Sequence, residues 1–502
     1  MVPDKANISR VGRGSWQERG YVLDSASCSK ANLVTVVNFP LGIAVAVLLW
    51  RSLDWPLIGD AAIFHFIAEQ MRMGAIPYRD IYDINMPLIY FIHAGVVAIA
   101  GMSDVAWRAC DLACAAAMSG LILMLVWPAG RALAIHAVLI ALATHLLLGP
   151  YSAGQRDYLM SIVALGVALV SVRTAETPEP SRINLLVAGA GTAIAASIKP
   201  TAVLLLALPA LGMARLRWHD LIWTAIGAAL VALLMLGLLA VFDALWAFIA
   251  MLRELMPSYA SMGSRPLDDV VRDVALWLAP VGGLALAAAL NISAPKPPRE
   301  RIMIGLTLFG LIHLFAQRKG WFYHVYPLGL GLTCWGAWSL ASLSILRSVL
   351  CVTVTAATLL WLVPAALTPA SSYPALRAAS TMQVALQSRL PPGARVQVLD
   401  SDNGAFLAMA RAGMRQATAH IQWFSLILAP DAVRKNFITA LKSDPPAAVL
   451  MTNSEWPQDS GFDAADRWPA FAALLASQYD LDQTGDENGM AWRLYVRRGH
   501  AG

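Results

Sequence analysis

The stretch Tyr78–Pro87, YRDIYDINMP, gathers Arg79, Asp80 and Asp83 in a chain that is 58% hydrophobic and only 14% charged. Other polar residues recur in short clusters between apolar runs. IGDAAIFHFIAEQMR carries Asp60, His65, Glu69 and Arg72, and SAGQRDYLM carries Gln155, Arg156 and Asp157. The break SIKPT places Lys199 before Pro200, and AQRKGWFYHVYP holds Arg318, Lys319, Tyr323, His324 and Tyr326. Carboxylates and cations gathered beside hydrocarbon suit the transfer of a sugar from a lipid-linked phosphate. The leaving phosphate is a weak base and needs no general acid. It needs positive charge, which Arg and Lys supply through charge-assisted hydrogen bonds. The incoming hydroxyl is a poor nucleophile and needs a carboxylate base. Direct displacement inverts the anomeric carbon with one essential base, so a hydrolase pair of carboxylates is not required.

Each residue also has an ordinary reading. An Arg at a span end anchors by snorkelling, and Tyr and Trp there form an interfacial belt. His93 and His324 fit as structural histidines, and Asp60 fits as the N-cap of the helix AAIFHFIAEQ. Those readings weaken for Asp157 and Lys199. Charges so close to hydrocarbon are costly unless paired or beside a water-filled cavity.

The elements that must position these residues are mostly membrane spans. With 502 residues and 17 Trp in so apolar a composition, the chain reads as a polytopic α-helical membrane protein. At ~20 apolar residues per span, about eleven are predicted, near 33–50, 105–127, 132–149, 158–173, 184–198, 200–214, 220–240, 273–290, 302–316, 323–341 and 349–367. Residues 87–101, PLIYFIHAGVVAIAG, are short and begin at a proline, and are predicted to lie in the interface. A twelfth span there would invert everything after it. With eleven, basic residues such as Arg131, Arg173, Arg182, Arg215, Arg217 and Arg347 fall on one side, as expected of the cytoplasm. The chemistry-bearing clusters then fall outside, in 51–104, 150–157, at 199 and in 317–322. The first apolar run, after a polar 1–32, reads as a retained signal anchor.

From about residue 369 the pattern changes to that of a small α/β domain outside the membrane. ARVQVLD and AAVLMTN read as strands, and PDAVRKNFITALKS and RWPAFAALLASQYDL as helices. QYDLDQTGDENGMAWRLYVRR reads as a hairpin turning at Asp486–Gly489. The expected organisation is a cytoplasmic tail (1–32), a transmembrane catalytic domain (33–368) and an extracytoplasmic domain (369–502). That last domain has no phosphate loop or nucleophile motif and reads as a lid or acceptor-binding domain. The five cysteines, Cys28, Cys110, Cys114, Cys334 and Cys351, show neither disulfide nor zinc spacing. A net charge of +5 without a basic stripe argues against a nucleic-acid partner. Neither mid-span charges nor pseudo-repeats are evident, which disfavours a transporter of lipid-linked sugars.

The order of motifs resembles that of the GT-C superfamily of polyprenyl-phosphate-sugar-dependent glycosyltransferases, of the protein-mannosyltransferase and lipid A aminoarabinose-transferase type. It runs from a Gly-Asp early in a long outer loop through a G-x-x-P-Y-x-D element and a Pro-Leu-Tyr helix. A short outer loop ending in an acidic residue follows, then a Lys-Pro break, a late Tyr/His-x-x-Pro rim and a C-terminal α/β domain. The resemblance implies catalytic residues at Asp60 and Asp157, the latter as the acidic residue of the second outer loop. It implies donor-phosphate cations at Arg156, Lys199, Arg318 and Lys319. Arg79, Asp80, Asp83, His324 and Tyr326 are expected to line the substrate site. Two departures stand out: the common Asp-Glu pair is Asp60–Ala61 here, and the Pro-Pro of the loop is Met86–Pro87. Some members use a divalent cation and others do not, so the resemblance leaves the metal requirement open. The implied partners are a polyprenyl-phosphate-sugar, membrane lipids and a glycan, lipid or protein acceptor, at a bacterial inner membrane with its outer face periplasmic. An O-antigen-ligase-like or polymerase-like enzyme is the alternative, though it favours a larger outer loop than 241–272.

Overall fold

The computed structural model describes residues 24–213, 215, 217–293, 296–366, 373–401, 403–453, 461–462 and 468–499. The expected tail (1–32) lies largely outside the described residues, and so does the expected boundary at 368/369.

The apolar runs form helices. These are α1 (Asp24–Arg51), α2 (Asp60–Arg72), α3 (Pro87–Ala100), α4 (Asp104–Val126), α5 (Arg131–Leu147), α6 (Arg156–Ala175), α7 (Arg182–Ala196) and α8 (Leu208–Gly212). They continue with α9 (Trp218–Val241), α10 (Leu245–Glu254), α11 (Met256–Ser261), α12 (Leu267–Trp277), α13 (Gly282–Leu290), α14 (Pro298–Gln317), α15 (Tyr326–Leu340) and α16 (Ile345–Ala366). Among the described residues, six helices are long and apolar enough to cross a membrane, and a bent pair would make a seventh. Among the described residues the eleven predicted runs fall on helices, but not all are single rods. Residues 200–207 are a 3-10 helix leading into the short α8, because Pro200 and Pro209 withhold backbone donors. The 273–290 run is bent by 62° between α12 and α13. Helix α3 has 14 residues, and at 1.5 Å each it reaches only about 21 Å, short of a ~30 Å hydrocarbon core.

The C-terminal domain follows with α17 (Pro374–Arg389), β1 (Arg395–Leu399), α18 (Ala405–Arg411), β2 (Arg415–Gln416), α19 (Phe424–Ile427), α20 (Asp431–Ser443), β3 (Ala448–Thr452), a helix at Pro469–Gln478, β4 (Tyr479–Glu487) and β5 (Met490–Arg497). The sheet order is β2-β1-β3-β5-β4, with β1 parallel to β2 and β3 and the rest antiparallel. Strand β3 is buried along its whole length, which is why AVLMT runs apolar without alternating. The closing hairpin turns at Asn488–Gly489, both at positive φ (57° and 88°), the geometry of a type I′ turn.

The two parts meet on α2. Gln70 Nε2 donates to the Met414 carbonyl (3.0 Å), and Gln70 Oε1 accepts from Gln416 N (2.9 Å). Phe66 packs on Phe406, and Arg411 pairs with Asp104 at 2.8 Å. Helix α2 is therefore covered on both sides, and ten of its residues, Ala61 to Gln70, are buried.

Within the bundle, α7 and α9 touch backbone to backbone through small residues, as membrane helices do. A Cβ on Gly189 would sit 1.9 Å from Thr224 O, and one on Gly227 would sit 2.0 Å from Leu186 O. Gly227→Val should force the helices apart and destabilise the protein by about 1–3 kcal/mol, the usual cost of overpacking. Gly237→Ala, with nothing within 4 Å on the same helix, should be close to neutral. Melting midpoints in detergent check the pair, and equal midpoints would refute the contact.

Candidate active site

A cavity of about 300 Å³ opens where α2, the 83–85 loop, the start of α6, α11, the 321–323 turn and the C-terminal domain converge. Its polar walls include Asp60, Asp83, Asn85, Tyr151, Gln155, Arg156, Tyr259, Tyr323, Ser401 and Gln422. Phe64, Trp321, Phe322 and Phe424 supply aromatic surface.

Asp60 is the first residue of α2. The capping position belongs to Gly59, at φ 66° and ψ −153°, a region open to glycine, and no side chain caps the helix. This corrects the N-cap expectation: the Asp60 carboxylate is free for other work. It receives Arg156 Nη2 at 3.2 Å. Burial pushes its pKa above the ordinary carboxylate value, while the Arg156 guanidinium opposes that rise. Arg156 also donates to Asn85 Oδ1 and lies over the Phe64 ring.

Asp157, the next residue, has no solvent exposure. Lys199 Nζ donates to one oxygen at 2.6 Å, and His313 Nε2 lies 2.5 Å from the other. Lys199 is delivered by the break between α7 and the Pro200 helix. Its burial pulls its pKa down to about 8, with Asp157 holding it up. Lys319 sits 3.5 Å above the Tyr259 ring and 5.2 Å from that of Trp321, beside the cavity. Burial, then Arg156 and Lys199, lower it to about 7.

Asp83 is saturated. Tyr90 Oη and Asn85 Nδ2 each donate to Oδ2 at 2.5 Å, and Gln422 Nε2 donates to Oδ1 at 3.3 Å. Tyr78 braces the loop by donating to the Asn85 carbonyl (2.6 Å), with its own backbone at φ 66°.

Other expected site residues lie elsewhere. Arg79 and Asp80 pair with each other on the surface, and Arg79 reaches Asp243 at 2.6 Å. They do not line the cavity. Arg318 is the left-handed C-cap of α14 (φ 49°) and is exposed, while its neighbour Lys319 turns inward. His324 is buried against His313 and Trp321 without reaching the cavity wall. Tyr326 belongs to a separate buried network. Its hydroxyl lies 2.7 Å from His145 Nδ1, His145 Nε2 lies 3.1 Å from Asp111, and Asp111 pairs with Arg108. These charges are buried within the helix bundle, and the hydropathy pattern did not suggest them. Their signal was WRACD, an Arg and an Asp three apart inside an apolar run. Asn85, Tyr259, His313, Ser401 and Gln422 were also not singled out. Only His313, alone among apolar residues in GLIHLF, carried a local hint. Among the described residues, no three His, Cys, Asp or Glu side chains group to hold a metal ion.

No protein-family model matches the chain, and no curated protein is similar to it in sequence. Solved structures are similar in fold. ArnT from Cupriavidus metallidurans bound to undecaprenyl phosphate superposes with a TM-score of 0.64 at 13% identity, over 92% of this chain and 98% of that one. The same protein in its apo state gives 0.58 at 16% identity over the same shares. The archaeal oligosaccharyltransferase AglB from Archaeoglobus fulgidus, in complex with an inhibitory peptide and a dolichol-phosphate, gives 0.48 at 10% over 87% and 70%. ArnT is a GT-C protein, so this chain has a GT-C fold, and the resemblance seen in the motif order holds at that level.

The two neighbouring aspartates should behave differently when neutralised. Asp157→Asn leaves Lys199 buried and uncompensated, and breaking one side of a buried pair costs about 3–5 kcal/mol. Asp60→Asn, with one 3.2 Å contact at a cavity, should cost about 1 kcal/mol or less. Thermal unfolding in detergent should order them that way, and the reverse order would reassign the roles.

Proposed function

We propose that the chain is a membrane glycosyltransferase that moves a sugar from a polyprenyl-phosphate donor to an acceptor on the outer face, with Asp60 as general base. The observation that carries this reading is the contrast among the three aspartates. Asp83 is occupied by three donors, and Asp157 is locked between Lys199 and His313. Asp60 alone keeps a partly exposed carboxylate (19%, against none for Asp157) with a single 3.2 Å contact. A general base needs that combination of reach and spare lone pairs. In the reaction, Asp60 takes the proton of the acceptor hydroxyl as its oxygen attacks the anomeric carbon. The bond from that carbon to the phosphate oxygen breaks with its electron pair going to phosphate, and configuration inverts. Arg156, backed by Lys199 and Lys319, offsets the charge that develops on the phosphate. Burial leaves both lysines easier to deprotonate than usual, and an arriving phosphate would favour their charged forms. A protein of this fold, ArnT, has been seen with undecaprenyl phosphate bound, which supports a donor on that carrier.

Asp60→Asn should keep the fold and the affinity for undecaprenyl phosphate while turnover drops ~10²–10⁴-fold, the usual contribution of a general base. In the wild type, turnover should fall as pH drops through the raised Asp60 pKa, because only the ionised carboxylate accepts the proton. Purified variants assayed with matched donor and acceptor check both, and a fully active Asp60→Asn would remove Asp60 from the chemistry.

The reading also places the C-terminal domain on the periplasmic side of a bacterial inner membrane, with α3 in the interface. A reporter active only outside the cytoplasm, fused after Gly502, should be active. A silent one beside an active cytoplasmic reporter would overturn this orientation.

A further inference from the structure

The cavity's two sides differ in chemistry. The bundle side presents the cation Arg156, with Lys199 and Lys319 behind it. The C-terminal domain contributes Ser401, Gln422 and Phe424, all uncharged. These three follow the C-terminal ends of the parallel strands, Ser401 after β1 and Gln422 and Phe424 after β2. Ser401 follows Asp400 just after β1, and β1 is the strand flanked by β2 and β3, where loops diverge and ligands bind in open α/β sheets. The loop is held firmly. Asp400 is fully buried and accepts from Ser401 N (2.7 Å), Asn403 N (3.0 Å), Ala405 N (2.9 Å) and the Thr452 hydroxyl. The Ser401 hydroxyl itself is buried and has no hydrogen-bond partner among the described residues. Gln422 gives one amide hydrogen to Asp83 and is only 6% exposed.

We infer, on the glycosyltransferase reading, that Ser401 and Gln422 bind the acceptor, and that the acceptor presents neutral sugar hydroxyls to them. A hydroxyl and a carboxamide each donate and accept, and an aromatic ring beside them offers the apolar face of a sugar its complement. A cationic acceptor would find no carboxylate on this side, whose cavity residues are Ser401, Gln422 and Phe424. An anionic one would find its cations across the cavity, where the donor phosphate belongs. The extramembrane domain is then part of the specificity machinery as well as a cover.

Ser401→Ala and Gln422→Ala in the full-length protein test this. Undecaprenyl phosphate is the probe for the donor side, with binding measured on purified protein. Initial rates of envelope modification, followed by mass spectrometry in cells expressing each variant, report transfer. Ser401→Ala removes no protein hydrogen bond among the described residues, so a purely structural serine predicts no change. Each variant should slow transfer roughly tenfold, as expected for one or two lost neutral hydrogen bonds. Undecaprenyl phosphate affinity and the melting midpoint should stay within twofold and about 2 °C of wild type. Transfer rates within twofold of wild type in both variants would overturn the inference. So would undecaprenyl phosphate affinity falling in step with transfer, or modification found on a protein side chain instead of a glycan. A wild-type protein that neither binds undecaprenyl phosphate nor alters the envelope would instead overturn the glycosyltransferase reading.

Discussion

A carboxylate with no solvent exposure, Asp157, holds Lys199 on one oxygen and His313 near the other. In a low-dielectric interior such a pair is tolerated only when geometry and hydrogen bonding are complete. Meeting that demand fixes three separate elements at one point: the start of α6, the break after α7 and the C-terminal part of α14. Thr201, bonded to the far side of His313 at 2.7 Å, adds the start of the Pro200 helix. Arg156 precedes Asp157 on the same first turn. Once Asp157 is pinned inward, the helical offset of about 100° per residue carries Arg156 round to Asp60 and Asn85. The ion pair thus sets the direction of the guanidinium without touching the cavity itself.

The environment also divides labour among three chemically identical side chains. Asp157 is committed to cations, Asp83 to neutral donors, and Asp60 to one long contact with Arg156. Of the three, Asp60 combines a partly exposed carboxylate with a place on the cavity wall. On the proposed reading, groups whose surroundings differ in this way sort themselves into framework and reagent. Nothing in the residue type makes that distinction.

This explains which parts of the site were legible in the sequence. Asp60, Arg156, Asp157 and Lys199 stood out because charge beside hydrocarbon must be justified by a partner or a cavity, and they do come together. Arg79 and Asp80 looked equivalent in sequence, but an exposed pair and a cavity pair read alike in one dimension. Arg318 and Lys319 were indistinguishable until the left-handed C-cap sent one outward and the other in. Arg108 and Asp111 escaped because charges near a span end pass for anchors, yet they are buried with His145 and Tyr326. The helices followed from hydropathy, and the sheet from apolar runs and a turn signal. The site residues of the C-terminal domain could not follow, because they depend on contacts more than 300 positions apart, such as Gln70 with Met414.

Those distant contacts join the two halves of the site. Helix α2 begins at Asp60 and is gripped near its other end by Met414 and Gln416 of the C-terminal domain. Tyr82 N donates to the Ala419 carbonyl at 2.7 Å, directly beside Asp83 and Gln422. The same docking therefore positions Asp60, the loop that carries Asp83 and the neutral groups opposite the cations. Moving the domain away would separate Gln422 from Asp83 and uncover the face of α2 that carries Phe66. It would also remove the grip on the helix whose first residue is Asp60. Arg156, Lys199 and Lys319 belong to the bundle and would remain in place. On the proposed reading, the helix bundle would suffice to hold a phosphate, and the C-terminal domain would be needed to present a hydroxyl to Asp60.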